Sequence, residues 1–252
     1  LWEPTIVYWE LVSEDRWEPI RYLFPVVAPL TGKVERFTPL PYADKPQYIN
    51  NTVVDDFLDE NLDLRWTFVR VPEEKTYSLS ENPGFLRLYS KPGIIQDRKR
   101  FSLVGFRQKE SDFEFEVKMN FSPEKDKVES GIIHYQKEWN YLTNTVTKVK
   151  KKYYLEQNLK EKSKEIVTLK KTILKGYDGN IILKVKSKKD KYDFYYSLNN
   201  GSSFIYFTSM DAIKILDRNY TGALLGLYTT SNGKVTQDYA DYDWIRYRDY
   251  LR

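Results

Sequence analysis

The chain has no cysteine among its 252 residues, so disulfides and thiolate chemistry are closed to it and its core must hold the fold. That absence does not fix a compartment, because a domain of this length can bury a sizeable core without staples. It has a single histidine, His134, which excludes a multi-histidine metal site. No Gly-rich phosphate loop and no nucleophile elbow accompanies it. His134 falls in the strand-like run Gly131–Tyr135 and reads as a satisfied, half-buried strand histidine. Apolar runs near the roughly 18 residues of a membrane span are also missing, and 30% of the chain is charged. The opening L-W-E-P-T-I-V-Y-W-E lacks the basic start and apolar stretch of a signal peptide, and reads as the interior of a longer protein.

Aromatic residues, by contrast, are abundant: 21 Tyr, 13 Phe and 6 Trp make up 16% of the chain, a bias that suits pleated, half-buried surfaces. Phe113, Phe115, Val117, Met119 and Phe121 alternate strictly with Glu114, Glu116, Lys118 and Asn120. Period two is the pattern of a strand with one face on a core and the other in water. Similar runs follow one another from Tyr77–Ser80 to Asp241–Arg248, separated by turn signals such as N-P-G at Asn82–Gly84 and N-N-G-S at Asn199–Ser202. The one helical candidate is a turn or two around Ser209–Leu216. Many short strands without crossover helices predict an all-β, two-sheet antiparallel β-sandwich or jelly roll over residues 51–252. Residues 1–50 hold seven of the 11 prolines, which predicts an extended linker or wrap rather than a sheet.

The net charge of +4 hides an asymmetry. Residues 148–191 carry 15 lysines against five acids, a local +10 that leaves −6 for the rest. Such a block suits an anionic polymer or an interaction partner, but it also suits lysines on the outward positions of strands, where they guard edges. Ile181, Leu183 and Val185 interleave with Ile182, Lys184 and Lys186, and no RNA-binding aromatic motif or helix-turn-helix pattern accompanies the charge. The solvated-face reading is preferred, with no nucleic acid and no membrane as partner. Four N-x-S/T sequons, at Asn50, Asn120, Asn200 and Asn219, lean toward a secreted protein. Asn120 should lie on the solvent face of its strand.

Five motifs in order resemble the C-terminal concanavalin-like β-sandwich of glycoside hydrolase family 43, the β-xylosidases and arabinofuranosidases. They are D-D-F at Asp55–Phe57 with L-R-W at Leu64–Trp66, P-G-F-L-R-L-Y at Pro83–Tyr89, V-G-F-R-Q at Val104–Gln108, S-G-I-I-H-Y at Ser130–Tyr135, and the closing pair T-G-A-L-L-G-L-Y and A-D-Y-D-W-I-R-Y. Phe106 stands where a second arginine is common. Upstream, F-P-V-V-A-P-L-T-G-K-V-E at Phe24–Glu35 resembles the segment that links a five-bladed catalytic propeller to the sandwich.

The resemblance implies an accessory domain that packs on a propeller, helps shape its xylan- or arabinan-type sugar pocket and supplies no catalytic carboxylate. Three candidate sites stand out, the first two through the resemblance and the third from the residues themselves. Asp56 and Asp243, with Asp55 and Asp241 nearby, would hold a structural Ca²⁺, against ordinary Asx-turn hydrogen bonding and surface charge. The turn before T-G-A projects an aromatic toward the sugar in the family; here Asn219 takes that position, with Tyr220 beside it as the replacement contact. Trp139, with Tyr141, offers a stacking surface. The alternative is a stand-alone carbohydrate-binding, lectin-like module, which would show an exposed aromatic platform or groove.

Overall fold

The computed structural model describes residues 8–13, 16–20, 52–72, 75–97, 101–215 and 222–250, the first two segments by their backbone alone. The chain divides into two compact units, Leu1–Tyr48 and Ile49–Arg252. In the first, β1 (Tyr8–Ser13) and β2 (Arg16–Ile20) form an antiparallel ribbon in which Trp9 lies opposite Pro19. The proline-rich stretch thus holds a small sheet where an extended segment was expected. Both strands of such a ribbon are edges, so a proline lacking its N–H is tolerated there.

The second unit is a sandwich of two antiparallel sheets. Its early strands are short: β3 (Thr52–Asp55), β4 (Thr67–Phe68), β5 (Tyr77–Ser78) and β6 (Leu86–Tyr89). Longer ones follow: β7 (Ser102–Arg107), β8 (Phe113–Asn120), β9 (Glu129–Lys137), β10 (Asn140–Val149), β11 (Lys152–Glu161) and β12 (Val167–Ile173). The chain closes with β13 (Asn180–Lys188), β14 (Lys191–Ser197), β15 (Ile205–Asp211), β16 (Leu224–Thr230) and β17 (Tyr239–Asp249). Every strand-like run read from Tyr77 onward is a strand. One sheet runs β12-β11-β10-β9-β16-β7-β4 and the other β15-β14-β13-β8-β17-β6-β5, with β3 also on β17. The helix expected around Ser209–Leu216 is a single 3₁₀ turn at Ala212–Lys214, because β15 continues to Asp211.

The alternation of β8 has the predicted outcome. Phe113, Phe115, Val117 and Met119 are buried between the sheets, while Lys118 and Asn120 face outward. Phe106 of β7 meets them edge-on, at 5.6 Å from Phe115 and 5.3 Å from Tyr247, with Trp66 at 5.4 Å. Aromatic pairs in this geometry add about 0.5–1.5 kcal/mol each beyond the area they bury. Phe106 is itself buried, with these rings as its surroundings. The opposite face of the seven-stranded sheet carries a second buried cluster, with Ile95, Leu103, Ile133, Tyr141 and Tyr228. In it, Gly131 lies so close to β10 that a Cβ would stand 2.1 Å from the Asn144 carbonyl oxygen.

Two features of this sandwich differ from ordinary expectation. β12, the terminal strand of its sheet among the described residues, is exposed along almost its whole length, including Val167, Leu169 and Ile173. And His134 is not half-buried: its side chain is 0% exposed, and neither ring nitrogen meets a protein partner. It packs against rings instead, 4.9 Å from Tyr192 and 5.8 Å from Phe194, so the reading of a hydrogen-bonded histidine is corrected. Strand alternation turns it inward, since its neighbours Ile133 and Tyr135 belong to the outer cluster.

Burial pushes the His134 pKa from its ordinary 6.5 down to about 3. The unfolded chain therefore takes up this proton first. The stability that goes with neutral His134 is complete above pH 6.5 and is lost as pH falls toward 3. At pH 5 the loss is about 2 kcal/mol, roughly 4–8 °C in Tm. Glu129, raised to about 7 by burial, acts in the opposite direction between pH 4.5 and 7. It does so equally in both proteins of the following comparison. His134→Leu is expected to shrink the drop in melting temperature between pH 7.5 and pH 5; an unchanged drop would remove His134 from the account.

Candidate functional site

Three strands of the seven-stranded sheet converge at one end of the sandwich: β7 stops, β16 begins, and β9 turns into β10. The turn between β9 and β10 is only two residues, Glu138 and Trp139. So short a turn leaves the indole no interior to enter, and Trp139 remains 38% exposed. It borders an open recess of about 450 Å³ together with Arg70, Arg107, Tyr135, Glu138 and Gly222. Arg70 Nη2 donates to Glu138 Oε1 at 2.9 Å. Arg107 Nη1 donates to the Gly222 carbonyl oxygen at 2.7 Å. Lys137 Nζ lies 5.5 Å from the centre of the Trp139 ring.

The recess therefore combines a flat apolar ring, two guanidinium groups and one carboxylate. Tyr135 at its wall has its pKa pushed up to about 12, first by burial and then by Glu138, so its phenol stays a hydrogen-bond donor at neutral pH. Such a surface can stack on the apolar face of a sugar ring and bond its hydroxyls. The Asn219–Tyr220 turn lies outside the described residues. Gly222, which follows that turn in the sequence, lines the same recess as Trp139. Tyr141, grouped with Trp139 in the sequence, is buried in the outer cluster instead. Arg70 and Glu138 were not anticipated. They pair across 68 positions, and neither sits in a local pattern that would have marked it.

The aspartates go elsewhere. Asp55 lies opposite Ile245 in the β3–β17 pair, so the expected adjacency of the two regions is real. Their carboxylates do not converge. Asp55 accepts hydrogen bonds from the Phe57 amide at 3.0 Å and the Trp66 indole at 2.7 Å. Asp241 is buried and takes Arg87 through both oxygens, at 2.7 and 2.8 Å, with Asn82 at 2.9 Å. Asp243 pairs with Lys118 at 2.8 Å. Asp56 is exposed and lines a different recess from Asp243.

A Ca²⁺ needs six to eight converging oxygens. Among the described residues no group of three or more acidic or histidine side chains is placed to hold a metal. The described geometry does not bring Asp56 and Asp243 onto a shared calcium: they line different recesses, and Asp243 is already paired with Lys118.

Two antiparallel sheets packed face to face make this a concanavalin-like β-sandwich. The sequence model of the family described as "Beta xylosidase C-terminal Concanavalin A-like domain" matches residues 54–248, and the chain belongs to that family. Among curated proteins it is 29% identical over 244 residues to a xylosidase/arabinosidase of Butyrivibrio fibrisolvens, covering 94% of this chain and 44% of that protein. It is 27% identical over 218 residues to a non-reducing-end α-L-arabinofuranosidase of Bacteroides ovatus, covering 86% and 41%.

Among solved structures, a glycoside hydrolase family 43 protein of Bacillus licheniformis superposes with a TM-score of 0.71 at 28% identity, over 87% of this chain and 42% of that one. A Bacteroides ovatus protein of the same family, from a xyloglucan utilisation locus, gives 0.75 at 23% identity, over 96% and 46%. The chain spans less than half the length of these relatives, and what it matches is their accessory C-terminal domain.

The Arg87–Asp241 pair is well enclosed, with side chains 14% and 9% exposed. Removing one partner leaves a buried charge alone, which costs about 3–5 kcal/mol. Arg87→Met should lower stability by that amount in urea melts, and Arg87→Met/Asp241→Leu should recover a large part of it. A double variant no better than the single one would show that the pair is not what holds β6 to β17.

Proposed function

We propose that this domain packs on a catalytic propeller of a hemicellulose-cleaving glycosidase and forms one rim of its sugar pocket. The observation that carries the proposal is the recess in which exposed Trp139 and Gly222 meet beside Arg70 and Arg107. Three things support it. The family is that of β-xylosidase C-terminal domains. The relatives named above are a xylosidase/arabinosidase and an arabinofuranosidase, each about twice as long as their matched part. And the chain's own motifs resemble the sandwich of such enzymes rather than the propeller.

Glycoside hydrolysis needs an acid and a base or nucleophile held at a set separation across the scissile bond. In this proposal the propeller contributes that pair. The sandwich contributes a flat ring and fixed hydrogen-bond groups at the entrance, which orient the sugar and exclude water. Of the two residues in the turn before Gly222, Tyr220 is the one able to stack, and Asn219 can only hydrogen-bond. The substrate class is a xylan- or arabinan-type chain.

Two measurements test this. The purified chain alone should not turn over aryl xylosides or arabinofuranosides; turnover abolished by mutating one of its own carboxylates would overturn the proposal. In the intact enzyme, Trp139→Ala and Tyr220→Ala should each raise KM about 2–10-fold with little change in kcat, the size of a lost stacking contact. Unaltered kinetics in both variants, together with micromolar binding of xylo-oligosaccharides to the isolated chain, would favour the independent binding module instead.

A further inference from the structure

The outer face of the eight-stranded sheet carries a second polar trough, at the other end of β8 from the Trp139 recess. Cross-strand register sets Arg87, Asp241, Asn120 and Asn180 in one row across β6, β17, β8 and β13. Two recesses of about 390 and 320 Å³ lie over this end, and both are lined by Lys118 and Asn180. Each is within the range of small-ligand clefts, about 300–1,000 Å³. Because they share those side chains they form one trough, reaching from Phe85 before β6 to Asn199 after β14. Five strands at about 4.8 Å spacing make it roughly 19 Å long. The length of β8 separates it from the Trp139 recess by roughly 25 Å.

Charge selects the class of ligand. The cations of the row and of the recess lining are paired: Arg87 with Asp241 and Lys118 with Asp243. The next row repeats the arrangement, with Lys184 between Glu114 and Glu116, and Arg246 on Glu116. An anionic polymer would have to break these pairs. The strands beneath are interior ones, with their backbone hydrogen bonds already taken by neighbours, so an added peptide strand has no edge to join. Present instead are exposed side-chain amides: Asn180 accepts from Asn120 at 3.1 Å and donates to Asp178 at 3.3 Å, and Asn199 donates to Ser203 at 2.8 Å, so each amide keeps a second N–H to offer a sugar hydroxyl. Half-buried Phe85 supplies an apolar surface at one end.

We propose that this trough is a second carbohydrate site, which binds a neutral, extended oligosaccharide of three or four sugar units. That the sugar is a pentosan rests on the function proposed above; that it is a neutral glycan does not. A chain held here and at the entrance recess would be engaged twice, which raises its effective concentration at the second contact.

The test uses the chain made in a host that does not glycosylate, since the sequon residues Asn120 and Asn200 line the trough. Xylohexaose, cellohexaose and polygalacturonate are titrated and followed by NMR amide and side-chain shifts. Xylohexaose is expected to shift Asn180 and Phe85, with affinity unchanged between about 50 and 500 mM salt. Phe85→Ala and Asn180→Ala should each weaken it about 2–10-fold, with Trp139→Ala leaving these shifts in place. Asn180 is exposed, so its variant tests the site without disturbing the core. Binding of cellohexaose alone at the trough would keep the site and overturn the pentosan assignment. Binding only of the polyanion, weakening with salt, would overturn the proposal, as would no shift at the trough with any neutral glycan at about 10 mM.

Discussion

The sandwich depends on one group of aromatic contacts between its sheets. Phe106 comes from one sheet, Phe115 and Tyr247 from the other, and Trp66 from the chain between β3 and β4. These rings set the distance across which the two sheets can pack, and they hold an otherwise irregular stretch against the core. The same contacts reach the surface through alternation. With Phe106 fixed inward, Arg107 must point outward, and there it binds the Gly222 carbonyl at the rim of the recess. The core thereby positions part of the candidate site one residue away.

Charge follows a similar logic. The lysine-rich block looks in the sequence like a single basic surface, yet β13 sits beside β8, some 70 positions earlier. Lys184 and Lys186 fall against Glu114, and Lys184 also against Glu116. On the next strand pair Lys171 meets Glu156. Strand pairing thus turns a local excess into matched ladders on two sheet faces. The depressed pKa of Glu114, which holds despite partial burial, reflects the lysines on both sides.

How far the sequence could be followed depends on the range of the forces involved. Phe113 to Asn120 was legible because period two is a local property, imposed by one buried face. β4, at two residues, is too short to show any period, and β3 is scarcely longer. His134 was placed on the correct strand but given the wrong surroundings, since Tyr192 and Phe194 come from the opposite sheet. The β3 and β17 regions that carry the aspartates do pair, whereas the Arg87 and Lys118 that hold Asp241 and Asp243 lie on other strands. Trp139 was singled out with Tyr141 as a stacking aromatic; Arg70 and Glu138, which line the same recess, had no pattern to reveal them. Prolines argued against a sheet before residue 50, but a two-stranded ribbon has no interior for them to disrupt.

The exposed strand β12 has a chemical consequence. Its aliphatic side chains Val167, Leu169 and Ile173 and its outward backbone would invite a foreign strand, and Lys170 stands among them as the deterrent. The deterrent is positive charge rather than shape. Reagents that act on lysine therefore divide into two kinds for this protein. Methylation preserves the charge and leaves the edge guarded. Acylation removes it and leaves a short, β-prone apolar segment with nothing to repel a second copy. Immobilising or labelling the domain through its amines is thus a choice about its colloidal behaviour as much as about its attachment.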